Sequence, residues 1–276
     1  MGVPILATPV LSDLSVITGG PVAGSMPLTN LQTEQPSLPC RFTDLTQAYF
    51  TVTLPNAYNL NLIDLAYSNA SSNAMVRRRA ATSLSGLTSA PAVDITLPFW
   101  PTAGLDIAGF TRFPHLIYSS AGFGNYKYWR FDILDTGNAA GYVQIGRLIL
   151  ASKSANTCYE FPRGVSADGT IGTNEPSARL VSGGGQIYPT IRSKTGRQKF
   201  TVVGVKEVDV LKTIGGIQRT RGVSRSVLFV KSTTNPTYIV EKSTYGLLTI
   251  ADKPYRSYGE GTGIAYNIDG TIEEMS

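Results

Sequence analysis

Histidine and cysteine are nearly absent from this chain of 276 residues, which has one histidine, His115, and two cysteines, Cys40 and Cys158. A zinc site built from three histidines and a cysteine-rich zinc finger are therefore excluded within the chain. A cysteine-ligated iron–sulfur cluster would need ligands from another chain. The sequence predicts neither a metal site nor a bound cofactor.

Long apolar runs are missing as well. No stretch reaches the roughly 18 apolar residues of a membrane helix, so we expect no membrane insertion. The first 13 residues contain Pro4 and Pro9 and no basic residue, which favours an extended segment over a signal peptide. Without secretion we expect reduced thiols, and the sequence leaves open whether Cys40 and Cys158 pair.

Charge is scarce and unevenly spread. Charged residues make up 16% of the chain, against about 25% in typical globular proteins. Residues 1–150 contain 8 basic and 8 acidic residues, whereas residues 151–276 contain 16 and 11 and so carry the whole net charge of +5. This asymmetry indicates two domains with different surfaces. For the basic half we favour a solvated surface or an acidic protein partner over nucleic acid.

Alternation of apolar and polar residues with period two dominates the first half, and turn residues separate the alternating segments. The predicted strands are residues 48–54, 60–67, 74–81, 127–133 and 142–150. Many short strands at this spacing are typical of a β-sandwich. We therefore predict a mainly β protein with an N-terminal sandwich at residues 1–152.

The second domain, residues 153–276, is predicted to be a β-barrel or sandwich with one helix. Its composition changes first to a long Gly-rich loop at about 160–186. Apolar residues at helical spacing predict a helix at about 206–221. The predicted strands are residues 199–205, 226–231, 237–241, 245–250 and 263–272.

Catalytic motifs are not evident. The sequence has no Gly-x-Ser-x-Gly motif, which would supply a nucleophilic serine for His115. Residues 164–168 (GVSAD) depart from that motif at the last position. We therefore interpret His115 as an ordinary surface or strand-end residue. Asp132 and Asp135 are close in sequence, but a glycosidase needs two acids facing each other across a cleft. We predict that the chain is not an enzyme, and glycan hydrolysis is the weakest of three functional hypotheses.

Four residues are candidates for contact with a glycan or a partner: Arg77, Arg79, Trp100 and Tyr126. In a strand, Arg77 and Arg79 share one face and Arg78 points to the other. If one of these faces is buried, its arginine side chains must form ion pairs or extend their charged ends to solvent. A solvated or interface face is the default, with a glycan or phosphate site as the alternative. Trp100, in a Pro/Gly-rich loop, is either a sugar-stacking or docking residue or a cap on the core.

Several segments of the first half resemble the discoidin-like, or galactose-binding-like, sandwich of bacteriophage tail proteins. They are residues 7–13 (ATPVLSD), 27–32 (PLTNLQ), 36–37 (PS), 41–45 (RFTDL), 61–65 (NLIDL) and 128–132 (YWRFD). The resemblance covers most of residues 1–152. It implies a jelly-roll-like sandwich.

The second half is similar to the belt domain of distal tail proteins of long-tailed phages. The similarity rests on residues 184–188 (GGQIY), 226–230 (SVLFV), 245–249 (YGLLT) and 255–256 (YR). It implies a structural protein that forms a ring, commonly a hexamer, between the tail tube and the baseplate hub of a virion assembled in the host cytoplasm. The alternative hypothesis is a carbohydrate-binding module that contacts a glycan on the host cell surface.

Overall fold

The computed structural model describes most of the first 161 residues and parts of the remainder. The described residues are 3–100, 115–161, 171–174, 178–181, 187–190, 195–206, 217, 225–233, 243–250, 255–258 and 264–275. The chain divides into two compact units. The first comprises Met1–Glu160 with Val230–Ser243, and the second comprises Phe161–Phe229 with Thr244–Ser276.

The regular secondary structure of the first unit is mainly β-strand. They are β1 (Ile5–Ala7), β2 (Val16–Gly19), β3 (Cys40–Phe42), β4 (Tyr49–Asn59), β5 (Leu62–Ser68), β6 (Met75–Ala81), β7 (Val93–Pro98), β8 (His115–Tyr118), β9 (Asn125–Leu134), β10 (Val143–Ala151) and β11 (Cys158–Glu160). The helical elements are α1 (Val10–Asp13), α2 (Gly86–Ser89) and a 3-10 helix at Leu28–Gln32. All five strands predicted for this half are confirmed.

Two antiparallel sheets form a β-sandwich, which confirms the predicted fold class. One sheet has five strands in the order β2-β4-β9-β6-β7, and the other has four in the order β3-β10-β5-β8. Alternate side chains of both sheets meet in one apolar core, as expected when two sheets pack face to face. Core residues from the centre of each sheet are Phe50, Val52, Trp129 and Phe131 on one side and Ile63, Leu65, Leu148 and Leu150 on the other.

The pairing of β4 with β9 contains an irregularity near one end of the sandwich. The register shifts between Thr53, which lies opposite Tyr128, and Tyr58, which lies opposite Tyr126. The inserted stretch on β4 includes residues 55–57, which are exposed. Such a bulge redirects the strand and the side chains beyond it. Tyr126 therefore lies past the regular part of the sheet.

The second unit is also mainly β. Its strands are β12 (Ile171–Asn174), β13 (Ala178–Val181), β14 (Ile187–Thr190), β15 (Thr195–Lys206), β16 (Ser226–Val230), β17 (Ser243–Ile250), β18 (Tyr255–Tyr258) and β19 (Ile264–Glu274). The strands β16, β17, β19, β15 and β12 follow one another in a sheet, β18 pairs with β19, and β13 with β14 forms a separate hairpin. Phe200 of β15 stacks on Phe229 of β16, with ring centroids 4.3 Å apart.

Sequence reasoning was less accurate in this unit. The strands predicted at 199–205, 226–231, 245–250 and 263–272 are confirmed. The stretch predicted as one Gly-rich loop at about 160–186 contains β12 and β13, because pairing with β15 and β14 imposes strand structure where the local pattern is weak. The strand at 237–241 and nearly all of the helix at about 206–221 lie outside the described residues. Within the described parts of the chain, no helix is long and apolar enough to cross a membrane.

Candidate functional site

The three consecutive arginines of β6 point to opposite sides of the five-stranded sheet. Burial alternates along the strand, so that Arg77 and Arg79 lie on the outer face while Arg78, 5% exposed, lies on the inner face. This is the arrangement that the two-residue period of a strand predicts. The outer face therefore receives two of the three charges.

Arg77 forms a bidentate ion pair with Asp94 of the neighbouring strand β7. Its Nε donates to Oδ1 of Asp94 at 2.7 Å and its Nη2 to Oδ2 at 2.6 Å. The pair is solvent-accessible, with side-chain exposures of 42% and 37%. The hydrogen bonds from Arg77 lower the pKa of Asp94 below its usual range, and the same bonds raise the pKa of Arg77.

Asp132 of β9 is shared by two arginines. Nη2 of Arg79 donates to its Oδ2 at 2.7 Å, and Nε of Arg130 donates to its Oδ1 at 2.9 Å. Arg79 also donates through Nη1 to the carbonyl oxygen of Leu87 at 3.2 Å. Its Nε is enclosed and has no hydrogen-bond acceptor among the described residues. One carboxylate thus fixes two guanidinium groups on the sheet surface.

Arg130 also packs on an aromatic ring. Its Cζ lies 3.7 Å from the ring centroid of Tyr49 on β4, the geometry of a cation–π contact. The outer face therefore carries a continuous arginine–aspartate row across β7, β6, β9 and β4, which consists of Asp94, Arg77, Arg79, Asp132, Arg130 and Tyr49. With three arginines and two aspartates, the row has a net charge of +1.

Trp100 lies away from this row. It follows β7, and its Nε1 donates to the carbonyl oxygens of Ser71 at 2.8 Å and Ala70 at 3.2 Å. The half-buried ring packs against the sandwich core. This placement agrees with the interpretation of Trp100 as a cap on the core, and a role in ligand contact stays a prediction.

Tyr126 lies at the opposite end of the sandwich. It is half-buried and meets Trp129 edge-on, with ring centroids 6.0 Å apart. Trp100 lies two residues after Pro98. The register places Pro98 and Leu134 on either side of Met75, at the same level of the sheet. Tyr126 and Leu134 are eight positions apart on β9, about 26 Å at strand spacing. The structure brings Arg77 and Arg79 together but separates Trp100 from Tyr126, so the four candidates do not form one patch.

Sequence reasoning missed the partners of Arg77 and Arg79. Alternation in residues 127–133 already indicates that Arg130 and Asp132 share a face, which is a usable signal. The other contacts depend on strand pairing, because Asp94 is 17 residues from Arg77 and Asp132 is 53 residues from Arg79. No local pattern fixes such pairs.

His115 lies at a strand end, as one of the two interpretations from sequence has it, but it is buried, which corrects the alternative of a surface residue. It begins β8 with 2% exposure, and its ring centroid lies 5.7 Å from that of Phe99. Burial, followed by the charge of Arg78, lowers the pKa of His115 to about 3. A general base works best with a pKa near the operating pH, so this environment disfavours proton transfer near neutrality.

Other buried polar groups do not assemble into a metal centre. Asp64 is fully enclosed, neither of its oxygens has a hydrogen-bond partner in the described structure, and burial raises its pKa. Cys40 and Cys158 are separate buried thiols, each with its pKa raised by burial to about 12. Among the residues described, no three histidine, cysteine, aspartate or glutamate side chains are grouped as metal ligands would be.

Comparison with known proteins gave matches at the level of structure alone. No protein-family model matches the sequence, and no curated protein matches it either. Among solved structures, a family 89 glycoside hydrolase from Clostridium perfringens matches 51% of this chain at 8% identity with a TM-score of 0.35. The matched part spans 14% of the length of that hydrolase.

Two smaller domains are matched over most of their own length. The domain CBM32-1 from a family 31 glycoside hydrolase of Clostridium perfringens is covered to 94% by 50% of this chain, at 11% identity and a TM-score of 0.33. A mutant of the lectin binding domain of Lectinolysin, complexed with Lewis b, is covered to 91% by 50% of this chain, at 10% identity and a TM-score of 0.34.

Proposed function

We propose that the sandwich of the first unit is a discoidin-like carbohydrate-binding module and that it contacts a glycan through the arginine–aspartate row. The observation that carries the proposal is the fixed arrangement of Tyr49, Arg130 and Asp132 on the outer face of the sheet, where the Arg130 and Asp132 side chains are 21% and 15% exposed. The carboxylate holds Arg130 by hydrogen bonds and the ring holds it by packing. The residues that would meet a ligand are therefore already ordered.

The chemistry of the row suits a sugar. Hydroxyl groups both donate and accept hydrogen bonds, so they are matched by a surface that alternates guanidinium donors with carboxylate acceptors. Arg77 and Asp94 provide the more accessible part of this surface, with exposures of 42% and 37%. Side chains that hold one another in place lose little freedom when a ligand binds, which lowers the cost of association.

A glycan array followed by calorimetry with the best glycan tests the proposal. We expect Arg130→Ala and Arg79→Ala to weaken binding at least about tenfold, which corresponds to 1.4 kcal/mol. Arg41→Ala is a matched control, since its Cζ also lies over a tyrosine ring, that of Tyr142, at 4.1 Å. Absence of any glycan above background, or equal binding by Arg130→Ala and the unchanged chain, would remove the proposal.

Two further variants separate the row from the other candidates. If the row is the contact surface, Trp100→Ala and Tyr126→Ala should bind the glycan as the unchanged chain does, provided that circular dichroism shows an intact fold. Loss of binding in one of these variants alone would move the site to that end of the sandwich. We also propose that the module acts without catalysis, in line with the low pKa of His115.

A second proposal is that the chain is a tail-tip or baseplate component that forms a ring with copies of itself and joins the tail tube to the hub. One observation favours assembly through residues 153–276. Among the described strands, β12 ends its sheet and pairs with β15 on one side only, and such an edge can accept a strand from a neighbour. A monomer by light scattering together with absence from purified virions would refute this role.

A further inference from the structure

Arg78 places a positive charge inside the sandwich. The side chain is 5% exposed, and no hydrogen bond or ion pair joins its guanidinium to the described residues. Its Nε is fully enclosed without an acceptor. A buried charge is normally paired, because removing it from water costs several kcal/mol. The charge of Arg78 is therefore not neutralised by any residue in the part of the chain that the structure describes.

The groups around Arg78 form the rest of a small cluster. Its Cζ lies 5.2 Å from the ring centroid of Phe123, which supports one face of the guanidinium. His115 is close enough for the charge of Arg78 to affect its titration, and its Nε2 is buried without a hydrogen-bond partner. Two enclosed nitrogens, Nε of Arg78 and Nε2 of His115, thus lack a hydrogen-bond partner among the described residues. The remainder of the His115 ring bonds to the backbone of Phe99 and Pro98.

We infer that Arg78, His115 and Phe123 form a binding site for a small oxyanion, either a carboxylate or a sulfate or phosphate group. The guanidinium presents its donors in a planar fork that matches the oxygens of these anions. His115 adds a nitrogen that an anion-bound water or a protonated acid group can reach. The anion supplies the negative charge that the described residues do not.

Arg78 lies close to one edge of the five-stranded sheet. Strand β7 ends the five-stranded sheet and β8 ends the four-stranded sheet among the described strands. Arg78 lies one strand in from β7, opposite Ile95 in the register, and Ile95 is 46% exposed. The low exposure of Arg78 limits the ligand to a small anion or to one acidic group of a larger molecule.

This site is separate from the arginine–aspartate row, which lies on the other face of β6. The experiment is calorimetric titration of the full chain with sodium acetate, phosphate and sulfate at matched ionic strength. We expect saturable binding of at least one anion with a dissociation constant on the order of 1 mM. Calorimetry is preferred to thermal shifts because sulfate and phosphate stabilise most proteins without binding.

Variants assign the binding to Arg78. Arg78→Met keeps the length of the side chain and should lose saturable binding, whereas Arg41→Met, a control outside both this site and the arginine–aspartate row, should retain it. Arg78→Lys keeps the charge without the fork and should bind acetate at least about tenfold more weakly. Saturable binding that is equal in the unchanged chain and in Arg78→Met, or no saturable binding of any of the three anions, would overturn the inference.

One further variant distinguishes an external anion from a carboxylate of the chain itself as the partner of Arg78. Asp106 is the one acidic residue that the sequence holds between β7 and β8. An unchanged chain that binds no anion, together with an Asp106→Asn variant that does, would show that the chain supplies the counter-charge and would overturn the proposal. Equal binding by both supports an external anion. The glycan-array result does not affect this outcome, so the two proposals fail independently.

Discussion

Arg130 of β9 lies over the ring of Tyr49 on β4, with Cζ 3.7 Å from the ring centroid. The contact joins neighbouring strands, and the same guanidinium also bonds Asp132. A cation–π contact at a partly exposed site contributes about 0.5–1 kcal/mol.

We predict a coupling free energy of that size in a double-mutant cycle of Tyr49→Leu and Arg130→Met, measured by urea unfolding. A cycle on Arg41 and Tyr142, whose distance is 4.1 Å, gives the reference value for a second contact of this kind. A coupling within error of zero would show that the two side chains are merely adjacent.

The ion pair between Asp13 and Arg147 is predicted to hold α1 against β10. Arg147 is fully buried, Asp13 is 22% exposed, and the two are joined at 2.6 Å. Removing one partner of a buried pair costs about 3 kcal/mol, because a buried charge then loses a charged hydrogen-bond partner. We therefore expect Asp13→Ala to lower the free energy of unfolding by about that amount in urea titrations.

Asp94→Ala is the control for Asp13→Ala, since its pair with Arg77 is exposed and exposed pairs contribute little. The double variant Asp13→Leu/Arg147→Met should recover much of the loss, because an apolar replacement leaves no buried charge. Equal effects of Asp13→Ala and Asp94→Ala would contradict the buried-pair interpretation.

His115 predicts a specific dependence of stability on pH. Its pKa falls from 6.5 to about 3 in the folded chain, so between these values the unfolded chain binds a proton that the folded chain does not. Stability from this group is complete above pH 6.5 and decreases by about 1.4 kcal/mol per pH unit as the pH falls towards 3. Urea unfolding between pH 6.5 and 4.5 should show this slope, and His115→Gln should remove it.

The same residue gives a direct spectroscopic check. The chain has a single histidine, so its ring Cε1–H resonance needs no further assignment. We expect its chemical shift to stay constant from pH 8 down to about 4, because the imidazole remains neutral over that range. A normal titration near pH 6.5 would place the ring in water.

The two thiols should be unreactive in the native state. Burial raises the pKa of Cys40 and of Cys158 to about 12, so only on the order of one thiol in ten thousand is ionised at pH 8. We expect Ellman's reagent to modify neither thiol within minutes in buffer and both in guanidinium chloride. Rapid modification in buffer would contradict the burial. If neither thiol reacts after denaturation, the two cysteines form a disulfide.

Much of the sandwich can be predicted from local sequence. Period-two alternation located the strands that became β4, β5, β6, β9 and β10, and it separated Arg78 from Arg77 and Arg79. These features depend on neighbouring residues alone, since a strand turns successive side chains to opposite faces. The stretch at about 160–186 was less predictable, because its strands are defined by their pairing partners.

Contacts between distant residues required the tertiary structure. Sequence identified His115 as rare and as a surface or strand-end residue, and the structure places it at a strand end but buried beside Phe99. Burial and the charge of Arg78 together lower its pKa. Asp132 was visible on the polar face of its strand, yet only strand pairing places it beside Arg79. The sequence by itself determined which side of each strand a residue occupies, because that depends on backbone geometry. The tertiary structure decided which charges are paired and which are buried without a partner, because strand order and sheet packing set the distances between them.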